Sequence, residues 1–138
     1  MNKFEKVIPT KVQVKKLYLM LLNRKHSISH NKLPSSKEHN KFVLKNPYID
    51  WYLIYKNKYL LGSVYIQKDN SIGINLDQPI KDDVLEVIKY IKNNHRPLRP
   101  IKSLRRGGFF LNVASDDLVL IKILNKLKKN EIQRSFLI

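Results

Sequence analysis

Between Lys11 and Arg24 apolar residues recur at Val14, Leu17, Tyr18, Leu21 and Leu22. This three-and-four spacing predicts a helix with one buried face, and Thr10-x-x-Gln13 before it reads as a capping box. A second capping box, Ser35-x-x-Glu38, predicts a short helix with His39, Phe42 and Val43 on one side, ending before Pro47. The segment between them, Lys25 to Pro34, reads as a polar loop containing Ser29-His30. From Pro47 to Asp77 the period changes to two, and three strands are predicted, separated by Lys56-Asn57-Lys58 and Asp69-Asn70-Ser71. Trp51, Leu53 and Tyr55 alternate with Tyr52 and Ile54, so both faces of the first strand are apolar and the sheet should be covered on both sides. Gly62 and Gly73 interrupt the second and third strands, where a bulge or close backbone approach is expected. On the third, Ile72, Ile74 and Leu76 share a face. Gly73 and Asn75 lie opposite, leaving room for a ligand.

Helical spacing returns at Ile80, Val84, Val87, Ile88 and Ile91. A proline-containing basic loop follows, then a strand over Phe109 to Val113. The last helix carries Leu120, Ile123, Leu124 and Leu127, with Ser115 or Asp116 as its cap. Ile132 to Ile138 reads as a closing strand, and Lys6 to Pro9 as a short leading one. Short turns between successive strands imply an antiparallel meander, with later helices returning the chain to the sheet. The expectation is one α/β (α+β) domain over residues 1–138. Its central sheet should be mixed, mostly antiparallel, of six to seven strands, with helices on both faces.

Composition narrows this picture. No apolar run approaches the roughly 20 residues of a membrane span, and the first ten residues show no apolar signal core, so a cytoplasmic protein without a membrane is expected. There is no cysteine, which excludes disulfides and thiolate chemistry. No His, Asp and Glu cluster has metal-ligand spacing, so no metal is expected. The formal charge is +16. It leaves nucleic acid or another polyanion open as a partner. It also fits compositional drift, because Lys outnumbers Arg 21 to 6 and Asn and Ile are abundant. The densest basic run, His95 to Arg106, contains two prolines and ends at Gly107-Gly108, so it reads as a loop.

The runs LYLMLLNRKHSISHNKLPSSKEHNKFVLKNPYIDWYLIY, LLGSVYI, NSIGINL and FFLNVASDDLVLIKILNKLKKNEIQRSFLI together resemble the GNAT superfamily of acyl-CoA-dependent N-acyltransferases. The resemblance is greatest to the branch that acylates amino groups of nucleotide-linked sugars in surface-glycan pathways. It implies transfer from acetyl-CoA or another acyl-CoA to a primary amine of a small molecule. The pantetheine would lie on the third meander strand at Ile74, Asn75 and Leu76, near Asn112. His30 and Ser71 are then the candidates for acid–base work. His39, Trp51 and Tyr65 are candidates for substrate contact.

The family's glycine-rich pyrophosphate loop is missing. The chain passes from Asp77-Gln78-Pro79 directly into Ile80-Lys81-Asp82-Asp83, where Pro79 lacks an amide donor and two aspartates would oppose phosphate charge. Lys81, Arg105 and Arg106, with Lys102, are the candidates for holding phosphate by side-chain charge instead. The family's strand acid corresponds to Ser71, its helix-opening asparagine to Asp117 and its usual tyrosine to Leu124, and Lys128-Lys129 replaces Gly-Phe. The competing reading is a noncatalytic module of the same fold that binds a polyanion such as RNA. The apolar end at Phe136, Leu137 and Ile138 suggests strand pairing between copies, and so a homodimer.

Overall fold

The computed structural model describes residues 1–24 and 32–138. Its elements run β1 (Lys3–Lys6), α1 (Lys11–Leu22), α2 (Ser36–Lys45), β2 (Asp50–Lys56), β3 (Tyr59–Ile66), β4 (Ser71–Leu76), α3 (Lys81–Asn94), β5 (Phe110–Leu111) and α4 (Leu118–Lys126). The strands form one sheet in sequence order, antiparallel except for the β4–β5 pair.

Both expected caps start helices. The Thr10 hydroxyl accepts the Gln13 N–H at 3.3 Å, and that of Ser35 accepts the Glu38 N–H at 3.2 Å. The Gln13 side chain does not close the box. It accepts the Ile8 N–H at 2.6 Å and donates to the Lys6 carbonyl at 3.1 Å, tying α1 to β1. At the end of α2, Asn46 takes a left-handed conformation (φ 40°), which lets Pro47 follow without continuing the helix.

Alternation along β2 divides the core as its pattern predicts. Tyr52 and Ile54 pack with Val64, Ile66 and Ile72 under Val87 and Ile91 of α3. Trp51 and Leu53 pack with Leu17 and Val43, under α1 and α2. A third cluster, Val84, Leu120 and Ile123, fastens α4 to α3. Gly62 sits opposite Leu76, beside the register shift at Ile54/Tyr55. A Cβ there would run into the Asn75 carbonyl, so the strand needs glycine for close backbone approach.

Four expectations need correction. The leading strand is Lys3–Lys6 rather than Lys6 to Pro9, because Phe4 stacks on Tyr90 at 3.9 Å and fixes the register against β2. The α4 cap is Asp117, whose carboxylate accepts the Leu120 N–H at 3.2 Å. The two residues before it are spent on the turn closed from the Asp117 N–H to the Ala114 carbonyl. The Phe109 to Val113 strand shrinks to Phe110–Leu111. Finally, Ile132 to Ile138 forms no strand. It pairs with no strand of its own chain, and Phe136, Leu137 and Ile138 are exposed, so five strands are present among the described residues.

Candidate active site

The short β5 has a direct consequence for the sheet. The β4–β5 ladder comprises Ser71 opposite Phe110 and Ile72 opposite Leu111, and its last bond runs from the Asn112 N–H to the Ile72 carbonyl at 3.4 Å. Beyond this point the strands part. Backbone groups on a strand point alternately to its two neighbours. Ile72 faces β5 and Asp77 bonds back to Leu61 of β3, so Ile74 and Leu76 present their N–H and C=O groups to the side that β5 has vacated. The result is a short length of open strand edge inside the fold.

This edge opens into a cleft of about 510 Å³. Its walls are Lys16, Leu19, Met20, Asn23 and Arg24 of α1 and its end, Leu60 to Gly62 and Tyr65 of β3, Gly73 to Pro79, Asn112 to Ala114, and the start of α4. Ile74, Asn75, Leu76, Asn112 and Tyr65 are thus brought together in one place. The Tyr65 ring lies directly over Gly73, its cross-strand partner, occupying the space a Cβ would take. Tyr48 stacks on the same ring at 4.1 Å and 14°. Burial pushes the Tyr65 phenol up from its ordinary range, and the Arg24 guanidinium pulls it partly back. The phenol therefore keeps its proton at neutral pH.

Arg24 lines this end of the cleft, and its Nε is buried without a hydrogen-bond partner among the described residues. A buried guanidinium N–H without an acceptor is costly, which makes it a natural contact for an anionic ligand oxygen. Sequence reasoning passed over Arg24 because nothing in its surroundings along the chain marks it; α1 and the Tyr48–Tyr65 stack bring it to the site. Lys16 is engaged elsewhere, donating to the Tyr55 hydroxyl at 2.9 Å.

Ser71, Trp51 and His39 fall outside the cleft. Ser71 is buried at the start of β4, its Oγ without a partner among the described residues and its N–H held by Asp69 at 2.9 Å. Trp51 is a core residue, edge-on to Tyr48 at 5.0 Å. His39 packs between α1 and α2, 5.2 Å from the Tyr18 ring, and burial lowers its pKa. His30 lies outside the described residues.

The proposed phosphate cluster does not assemble. Lys81 follows the C-terminal end of β4, whereas the Arg106 carbonyl is bonded to Asn70, just before its N-terminal end. A six-residue strand, on the order of 17 Å, lies between them. The Arg105 side chain is also committed, donating Nε to the Arg99 carbonyl at 2.7 Å.

At the start of α3 the electrostatics differ from the sequence expectation. Asp83 turns away from the cleft and is buried against Lys56 at 3.1 Å and Asn2 at 3.2 Å, which leaves Asp82 as the exposed acid of the first turn. Ile80 supplies no side-chain cap, so no side chain competes there for the first-turn amides. Pro79 still contributes no donor. Among the described residues no three His, Cys, Asp or Glu side chains are grouped to hold a metal.

No family model and no curated protein sequence matches this chain. Solved structures do. The dodecameric spermidine N-acetyltransferase of Vibrio cholerae superimposes with a TM-score of 0.53 and 14% identity, covering 91% of this chain and 77% of that one. A predicted acetyltransferase of Clostridium acetobutylicum, solved with acetyl-CoA, gives a TM-score of 0.52 and 10% identity over 100% of this chain and 96% of that one. At such identities the likeness is one of architecture, and it agrees with the mixed sheet and four helices described above. The chain has the fold of GNAT-type acetyltransferases.

Proposed function

We propose that the protein is an N-acyltransferase that takes an acyl group from an acyl-CoA, or a donor with the same pantetheine arm, and delivers it to a primary amine. The observation that carries this reading is the open edge of β4 at Ile74 and Leu76, facing a cleft between two parallel strands that have separated. An extended ligand bearing amides completes such an edge as an added strand would. Ile74 and Leu76 would hold the pantetheine arm, with Asn112 across the gap. The first-turn amides of α3 and Lys81 are left for its phosphate, a looser grip than a glycine cradle gives. When bound, the donor supplies the activated thioester.

The chain's own residues then have three tasks. Tyr65 keeps its proton on Oη at neutral pH and stands next to Gly73, where it can protonate a departing thiolate. Arg24 binds an anionic group of the acceptor, which suits a nucleotide-linked amino sugar better than a polyamine. Leu19, Met20 and Leu60 line the cleft with apolar surface. His30 remains the candidate base for the attacking amine.

Calorimetric titration of the whole chain with acetyl-CoA tests this directly. Stoichiometric binding with a rise in melting temperature is expected. If neither appears, while RNA binds with strong salt dependence, the polyanion-binding reading replaces this one.

A further inference from the structure

The basic loop 95–106 plays no part in the cleft, yet it is built with more care than a solvated connection requires. Asn70, fully buried and in a left-handed conformation (φ 71°), clamps it from below. Its amide nitrogen donates to the carbonyls of Leu98 at 2.9 Å and Arg106 at 2.7 Å, and its oxygen accepts the Leu98 N–H at 2.7 Å. The tip is closed separately. Ile101 and Arg105 exchange backbone bonds at 2.9 and 2.8 Å around Lys102, Ser103 and Leu104, and the Leu104 N–H returns to the Ile101 carbonyl at 2.9 Å. Arg105 braces the base through the Arg99 carbonyl at 2.7 Å and the Lys68 carbonyl at 3.3 Å.

This rigid prong carries Arg96, Arg99, Lys102, Arg105 and Arg106 and no acid. Between the cations it exposes Leu98, Ile101 and Leu104, the last of them 77% accessible. Nothing in the fold requires these three aliphatic side chains to face water. A fixed tip also loses little conformational freedom on docking.

We propose that loop 95–106 is a peripheral docking prong for an anionic lipid surface. Its cations meet the headgroups, and Leu104 and Ile101 enter the boundary with the acyl chains. Nucleic acid fits less well, because the loop's one aromatic ring, His95, is held at its base against Tyr52 and Asp50, leaving none at the tip on which a base could stack. A protein partner would need an interface of roughly 1,000 Å² or more, for which three aliphatic side chains are a small apolar centre. No described helix is long and apolar enough to cross a membrane, and a peripheral contact needs none.

Co-sedimentation of the full chain with vesicles at physiological salt tests the proposal. Vesicles of phosphatidylcholine containing about one-third phosphatidylserine should retain the protein, and phosphatidylcholine alone should not. Leu104→Ser, which leaves the charge at +16, should weaken binding about tenfold, and Arg99→Gln with Lys102→Gln should do at least as much. Lys37→Gln with Lys41→Gln, on the exposed surface of α2, removes the same charge elsewhere and should have a much smaller effect. Unchanged melting temperatures show that the variants are folded. Equal losses from the two charge pairs, or full retention by Leu104→Ser, would reduce the effect to bulk charge and overturn the proposal. So would loop-dependent binding of single-stranded RNA with none of vesicles.

Discussion

Arg24 and Tyr65 line the same cleft, and the Arg24 charge acts on the Tyr65 phenol. Replacing Tyr65 with Phe keeps the stack on Tyr48 but removes the proposed proton donor. A loss of about 100-fold in kcat is expected with little change in acceptor KM, read from steady-state kinetics with acetyl-CoA. Arg24→Gln should do the reverse, raising KM for an anionic acceptor about tenfold or more while leaving kcat near its original value. His39 gives a residue-scale signature in pH. Its folded pKa lies below its unfolded value near 6.5, so the unfolded chain binds the proton first. The stability that neutral His39 contributes is complete above pH ~6.5 and declines as pH falls from there toward the folded value. His39→Phe should flatten that part of the urea-midpoint profile, while an unchanged slope would show that the ring titrates freely. His39 looked like a functional residue in the sequence because histidine chemistry and core packing leave the same letter there; its burial against Tyr18 separates them.

At the scale of elements, the two glycines in the meander separate cleanly. Gly62→Ala drives a methyl group into the Asn75 backbone, which cannot move without breaking the β3–β4 ladder. Gly73→Ala meets the Tyr65 side chain first, and a side chain gives way at lower cost than backbone. The first substitution should therefore cost about 3 kcal/mol and the second about 1 kcal/mol by denaturant titration, with the second also lowering kcat because the ring carrying the proposed proton donor is displaced. Asn70→Gly keeps the left-handed backbone but removes three hydrogen bonds and should cost about 3 kcal/mol. Helix and strand periods made nearly every element legible, and both N-terminal caps were readable from Thr10 and Ser35. Phe109 to Val113 and Ile132 to Ile138 misled for one reason. An apolar run shows that a segment is able to pair, but whether it does depends on a neighbouring edge at the right distance. Asn70 was visible as a turn residue, whereas its two partner residues, Leu98 and Arg106, 28 and 36 residues away, were not.

Across the whole molecule, the network of Asn2, Lys56 and Asp83 joins the sheet to the start of α3. Asp83→Ala should lower stability by about 2 kcal/mol, since it leaves Asn2 and Lys56 without their shared carboxylate. It should leave acetyl-CoA affinity nearly unchanged if the carboxylate faces away from the donor as described. Sequence alone determined the order of elements as far as α4, the two-sided core and the placing of Ile74, Asn75 and Leu76 on a strand next to the missing glycine loop, because periodicity and local chemistry are written in consecutive residues. It could not assemble the site. Lys81 and Arg106 were separated, Arg24 and Tyr65 joined, and an edge opened at β4 through distances between segments far apart in the chain. Those distances are set by how the three core clusters pack, so only the tertiary structure decided them.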